Sequence, residues 1–174
     1  MSPFGIRLPI LEPRVVIHED FEKKLKTKKI LIDVDVLSEI FKYLLSKGRM
    51  ESACLLRGTI VGEYLMIKDI HKCKKSSGTR ATIDIQPVEF SDADKGDGYY
   101  TIGWVHSHPQ LGVFMSRRDI MSHAKYFQSF FPDAVAMVMD PLSKNGMEFN
   151  FFRAFNGRAK KVEYDYLVRG DENV

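Results

Sequence analysis

Two histidines one residue apart, His106-Ser107-His108, closed off by Pro109, constrain this chain more than any other feature of it. Side chains alternate across a β-strand, so His106 and His108 share one face while Ser107 takes the other. The preceding run Tyr100-Thr101-Ile102-Gly103-Trp104-Val105 is aromatic and β-branched, which predicts a buried strand. Pro109 cannot continue a sheet ladder, so the strand stops directly after the second histidine. Two imidazoles therefore converge at a strand end, where a site can open to solvent.

Ser116-Arg117-Arg118-Asp119 follows and opens an apolar stripe, Ile120, Ala124, Phe127 and Phe131, spaced as on one face of a helix. Ser-x-x-Asp is a capping-box pattern, with Ser116 as N-cap. A helix N-terminus also favours a carboxylate electrostatically, so Asp119 can cap and bind at once. Two imidazoles and one carboxylate leave a fourth vertex for water, as a catalytic zinc needs, whereas structural zinc is closed by four mostly sulfur ligands. Only Cys54 and Cys73 are present and no Cys-x-x-Cys occurs, which excludes a zinc ribbon and the zinc-deaminase pattern. His18-Glu19 is not a zincin motif, because Glu22 stands where the second histidine belongs. The pattern predicts a metallohydrolase holding one Zn2+ through His106, His108 and Asp119. His123, four residues beyond Asp119 on the same helical face, is a further candidate as an alternative ligand or a support for one.

Water on a metal needs a general base, and Met50-Glu51-Ser52-Ala53-Cys54-Leu55-Leu56-Arg57-Gly58 offers one carboxylate at the mouth of an apolar strand. On its own, a charged residue there is ordinarily solvated. Glu51, then Gly103-Trp104-Val105-His106-Ser107-His108-Pro109, then Ser116-x-x-Asp119, together resemble the JAMM (MPN+) metalloprotease motif. The resemblance runs from Lys29-Ile30-Leu31-Ile32-Asp33 to Phe151-Phe152-Arg153-Ala154-Phe155. Its segment Ala134-Val135-Ala136-Met137-Val138-Met139-Asp140-Pro141 looks most like the proteasome-lid deubiquitinase, which with its archaeal homologues the chain resembles most; the endosome-associated, polyubiquitin-cleaving relatives are also similar, especially in the short ending after Phe155.

That resemblance implies an α/β (α+β) fold: one MPN/JAMM domain at 21–174, with a mixed central β-sheet flanked by helices in a cytidine-deaminase-like architecture, after an extended segment at 1–20. It implies that His106, His108 and Asp119 bind zinc, that Glu51 is the catalytic proton carrier, and that Ser116 stabilises the oxyanion. The implied reaction is hydrolysis of the isopeptide bond between the C-terminal glycine of ubiquitin or a ubiquitin-like modifier and a lysine. The modifier, its conjugates and proteasome components are the implied partners. The chain departs from the family in carrying Cys54 where a glycine is common and in lacking a helical pair after Phe155. A non-catalytic MPN scaffold or ubiquitin-binding module is the alternative; such relatives lose metal residues, and none is lost here.

With 174 residues and 44% hydrophobic content, the chain can build one full core. It has no apolar stretch near 18 residues, and Pro3, Pro9 and Pro13 interrupt any signal-like start. No membrane association is expected. Two cysteines without an evident pairing suit a reducing cytoplasm. Net charge +3 comes from scattered bases and from Lys23, Lys24, Lys26, Lys28 and Lys29, without interleaved aromatics, so no nucleic-acid role is expected. Glu89, Asp92, Asp94 and Asp97 face only Lys95 locally. Modifier tails of the implied kind are basic, so Asp92 and Asp94 are expected to grip one.

Elsewhere, Leu37, Ile40, Phe41, Leu44 and Leu45 predict a helix capped by Asp33 or Asp35 and stopped at Gly48. The Glu51 strand and Tyr64-Leu65-Met66-Ile67 predict a hairpin turning around 58–62. A loop from His71 to Arg80 stands in the place of the family's first insertion, and Val15-Val16-Ile17 is a further short strand or a surface segment.

Overall fold

Residues 25–78 and 83–168 are described by the computed structural model. Their β-branched and aliphatic runs form one eight-stranded sheet. Its strands are β1 (Lys29–Asp33), β2 (Ala53–Val61), β3 (Tyr64–Lys72), β6 (Tyr100–Ser107), β7 (Val135–Asp140), β8 (Glu148–Phe155), β9 (Arg158–Val162) and β10 (Tyr164–Leu167). The spatial order is β10-β1-β3-β2-β6-β7-β8-β9. Strand β1 runs parallel to both its neighbours and β6 runs parallel to β7; the remaining pairs are antiparallel. The sheet is mixed, as the family resemblance implies.

Strands β9 and β10 occupy opposite edges of that order, yet only Glu163 separates them in the chain. The sheet must therefore curl until its edges approach. Phe149 and Phe151 of β8 accordingly pack on Tyr164 of β10, with ring centroids 5.1 and 5.4 Å apart. Among the described residues, the two closing strands β9 and β10 follow Phe155.

Both faces of the sheet are covered, which is why β2, β6 and β7 read as near-continuous apolar runs rather than alternating ones. Leu56, Val105, Met137 and Phe151 join one core with Val36, Leu37, Ile40 and Leu44 of α1 (Val34–Ser46). Leu55, Trp104, Val138 and Phe152 join a second core with Tyr126 and Phe127. Asp33 caps α1 by accepting from the Asp35 N–H at 2.8 Å, and Gly48 follows the helix at φ +60°. Tyr43 fills the buried stripe that Leu45 was expected to complete, and Leu45 is exposed.

The β2–β3 hairpin turns at Gly62 and Glu63, not at Gly58. Gly58 instead lies within β2 beside a bulge, where an added Cβ would sit 1.8 Å from the Met66 carbonyl oxygen. The bulge turns Arg57 into the protein, fully covered, where its guanidinium donates to both oxygens of Asp69 (2.9 and 2.8 Å) and of Asp97 (2.6 and 2.7 Å). Two carboxylates satisfy a charge that could not otherwise be buried.

After β3 the 71–80 region is not simply a loop. It carries β4 (Ser77–Gly78), which pairs with β5 (Ile83–Asp84), and α2 (Pro87–Ala93) follows. Glu89 of α2 is buried, bonded to His71 Nε2 at 2.7 Å and accepting from the Lys75 N–H at 2.6 Å.

The helix behind Ser116 is also shorter than its stripe predicts. It is α3 (Arg117–His123), continued by a π-helical turn over Ala124–Gln128. The wider turn shifts the phase, so Ala124 is exposed while Tyr126, Phe127 and Gln128 are buried. Gln128 exchanges two hydrogen bonds with the Ala154 backbone, which holds that altered phase.

Segment 1–20, with Val15-Val16-Ile17, lies outside the described residues, as do Lys23 and Lys24. Among the described residues no helix is long and apolar enough to cross a membrane.

Strand β6 approaches β7 so closely that a Cβ at Gly103 would lie 1.9 Å from the Val135 carbonyl oxygen. Gly103→Ala should therefore destabilise the protein by about 2–3 kcal/mol, because strand backbones cannot yield as a side chain can. Thermal unfolding should show Tm lower by roughly 4–12 °C. An unchanged Tm would refute the close approach.

Candidate metal centre

Strand β6 lies in the middle of the sheet, and the antiparallel β2–β6 register sets Ala53 opposite His106. Two residues before Ala53, Glu51 thereby falls alongside His108. The strand ends are pinned on the other face. The Ser52 N–H donates to Ser107 Oγ at 3.0 Å, and the Ser107 N–H donates to the Ser52 carbonyl at 3.0 Å. His108 lies just past β6 and donates its N–H to the Met139 carbonyl at 2.8 Å, so the second histidine is as fixed as the first.

The loop that follows is shaped by Asp140, buried at the end of β7. Its carboxylate accepts from the N–H groups of Gln110 (2.9 Å), Leu142 (3.0 Å) and Gly112 (3.2 Å). Gln110 sits at φ +62° within this turn. The loop ends at Ser116, and the capping box is complete: Ser116 Oγ accepts from the Asp119 N–H at 3.1 Å, and Asp119 Oδ2 accepts from the Ser116 N–H at 2.9 Å.

That same Asp119 Oδ2 lies 3.2 Å from His106 Nε2 and 3.3 Å from His108 Nε2, and the two Nε2 atoms are 3.1 Å apart. Donors on a tetrahedral zinc with bonds of about 2.0–2.1 Å are separated by about 3.3 Å. The triangle has that size, and its chemistry, two imidazole nitrogens and one carboxylate oxygen, is that of an open zinc site. The residues fit the ion.

Glu51 is not part of the triangle; its Oε1 is 3.9 Å from His108 Nε2, and the residue is 5% exposed. Burial pushes its carboxyl up to about 7, with Asp119 adding to the rise and His108 and Arg118 opposing it. Burial acts on Asp119 in the same sense, but the two imidazoles and the Ser116 N–H outweigh it and hold the carboxyl well below the usual carboxylate range. Burial lowers His106, with Asp119 opposing the shift; the neutral imidazole is the form that binds metals.

Among the sequence candidates, the structure brings together His106, His108, Asp119, Glu51 and Ser116. His123 is placed elsewhere: its Nδ1 accepts from Trp104 Nε1 at 3.0 Å and its Nε2 faces the Ala134 carbonyl at 3.1 Å. Held by those two partners, it is fully buried and lies outside the donor triangle. Asp92 and Asp94 lie outside the cluster; Asp92 pairs with Lys75 at 2.6 Å and Asp94 accepts from the Gly96 N–H at 3.1 Å. Sequence reasoning missed Asp140, Trp104 and Phe114, whose ring lies 5.0 Å from that of His108. An aspartate after the apolar run of β7 was the one available signal for the first.

Similarity to known proteins agrees with this geometry. A "Probable ubiquitin thioesterase DG1039" of Dictyostelium discoideum is 26% identical over 144 residues, covering 82% of this chain and 20% of that protein. An "AMSH-like protease" of Mus musculus is 32% identical over 98 residues, covering 55% of this chain and 22% of its own length. The chain thus spans about a fifth of these relatives. The solution structure of protein DSY2949 from Desulfitobacterium hafniense shares the fold, with a TM-score of 0.68 at 16% identity over 83% of this chain and 97% of that one. Residues 25–132, well over half the chain, match a family model, and the chain belongs to the JAB1/Mov34/MPN/PAD-1 ubiquitin protease family.

Proposed function

We propose that the protein is a zinc-dependent isopeptidase that cleaves ubiquitin or a ubiquitin-like modifier from substrate lysines. The observation that carries this reading is the triangle of donors 3.1–3.3 Å apart, with a separate buried carboxyl 3.9 Å from one of them. A non-catalytic scaffold has no need of that fourth group. The substrate class rests on the family and on the names of the ubiquitin thioesterase and protease relatives. The modifier, its conjugates and proteasome components are the proposed partners, and the unpaired Cys54 and Cys73 accord with a cytoplasmic setting.

His106, His108 and Asp119 would hold the ion. When bound, it supplies Lewis acidity, bringing the pKa of water from about 15.7 towards about 7 and polarising the scissile carbonyl. Glu51, free of coordination, accepts the proton of the attacking water and returns it to the departing lysine amine. Ser116 uses one lone pair as the helix cap, which leaves its O–H free to donate to the developing oxyanion. Phe114, beside His108 and half-exposed, borders the position of the scissile bond. Asp92 and Asp94 can dock a basic tail by exchanging their present partners for its cations.

The division of labour is testable. His106→Ala should lose zinc and cleavage together, and chelation of the wild type should abolish cleavage until zinc is returned. Glu51→Gln should keep one zinc per chain, measured by elemental analysis, while cleavage of an isopeptide-linked modifier falls at least about 10²-fold. Cleavage by Glu51→Gln at the wild-type rate would overturn the assignment.

Ser116→Ala separates its two roles. Turnover should fall about 10²–10³-fold with little change in KM. Stability should fall only by about 1 kcal/mol, the usual cost of a lost N-cap.

A further inference from the structure

We infer that His123 and Trp104 are positioning residues that aim the His106 ring at the metal, an inference that rests on His106 being a ligand. Ligand imidazoles usually gain their orientation from a hydrogen bond at the second ring nitrogen. Here Nδ1 of His106 is buried and has no hydrogen-bond partner among the described residues. Its ring lies instead against the Trp104 indole, centroids 4.3 Å apart and planes 16° from parallel.

The indole is itself held at its only polar atom. Trp104 Nε1 donates to His123 Nδ1 at 3.0 Å, and His123 Nε2 donates to the Ala134 carbonyl at 3.1 Å. Both partners dictate the tautomer: a carbonyl can only accept, and an indole N–H can only donate. Phe127 stacks on Trp104 at 5.6 Å and 5° and on His123 at 5.6 Å and 24°. The chain of contact thus runs from the Ala134 backbone, next to β7, through His123 and Trp104 to the ligand. Each ring in it is fully or almost fully buried, so none can swing without opening the second core.

Trp104 is the sole tryptophan of the chain, so its indole N–H resonance and its fluorescence report this contact without interference. Zinc titrated into the metal-stripped protein should shift both, because the ring stacked on the indole becomes a ligand. His123→Phe keeps an aromatic ring but removes the acceptor. It should speed exchange of the indole proton and weaken the zinc Kd by about 10- to 100-fold, the usual cost of losing a ligand's support. In Trp104→Phe, which stacks without an N–H, adding His123→Phe should cost at most about twofold more; a fully additive loss would mean that His123 acts elsewhere and would overturn the inference.

If His123→Phe does not fold, His123→Gln decides. Its amide can accept from the indole and donate to Ala134, so zinc affinity within about threefold of wild type supports the relay. A loss as large as that of Trp104→Ala overturns it. Wild-type protein that takes up no zinc sinks the metal site itself, whereas wild type and a folded His123→Phe binding zinc equally well sink only this inference.

Discussion

The centre depends on one alignment, the antiparallel register that sets Ala53 of β2 opposite His106 of β6. In a ladder with period two, a slip by one residue would turn the Glu51 carboxyl to the opposite face. Two features hold the register. The Ser52–Ser107 exchange locks the open ends, and the bulge at Arg57 absorbs the irregularity at the far end. The buried Arg57 guanidinium, clamped by Asp69 and Asp97, anchors that bulge. A carboxyl and a pair of imidazoles from segments distant in the chain are thus brought together by sheet pairing.

The third donor of the triangle is delivered by a different device. Asp119 belongs to the first turn of α3, and the capping box that starts this helix also sets the rotamer of its carboxylate. Oδ2 accepts from the Ser116 N–H and still faces both imidazoles. Helix initiation and placement of the Asp119 carboxylate therefore share one set of hydrogen bonds. Asp140 adds the remaining constraint by gathering three backbone N–H groups, which ties the loop between His108 and Ser116 to the end of β7. Each donor at the centre is held through backbone hydrogen bonds of a regular element or its cap, which is the arrangement that preorganises a site.

The local patterns were legible in the sequence: the His-x-His face, the Ser-x-x-Asp cap, the α1 stripe behind Asp33 and the strand before Pro109. Each depends on residues within a few positions of one another. What could not be read depends on distant partners. His123 looked like a neighbour of Asp119 because an i, i+4 spacing was assumed to point inward with it; the partner that claims it is Trp104, 19 residues back on β6. Gly58 looked like a turn because glycine commonly is one, whereas here it answers the close approach of the Met66 carbonyl. The π-turn erased the Ala124 position of a plausible stripe, and only the Gln128–Ala154 pairing explains why. Asp97 and Glu89 have only Lys95 as a local counter-charge in the sequence, yet each is engaged by a group outside its own segment, Arg57 and His71.

A row of rings along one face of β6 joins the core to the mouth of the site. Trp104, His106 and His108 occupy alternate positions and so share that face. Centroid separations of 4.3 Å from Trp104 to His106, 4.8 Å to His108 and 5.0 Å onward to Phe114 make the row continuous. Its inner end, against Phe127, is buried, and its outer end at Phe114 is half-exposed. The donor triangle lies between the two, where the surroundings are apolar enough to strengthen every charge interaction and still open to water on one side. Burial raises the proton affinity of Glu51 there, while the imidazoles and the helix cap lower that of Asp119. Two carboxyls in one pocket are thereby driven in opposite directions, one suited to carrying a proton and the other to remaining an anion, and the environment alone distinguishes them.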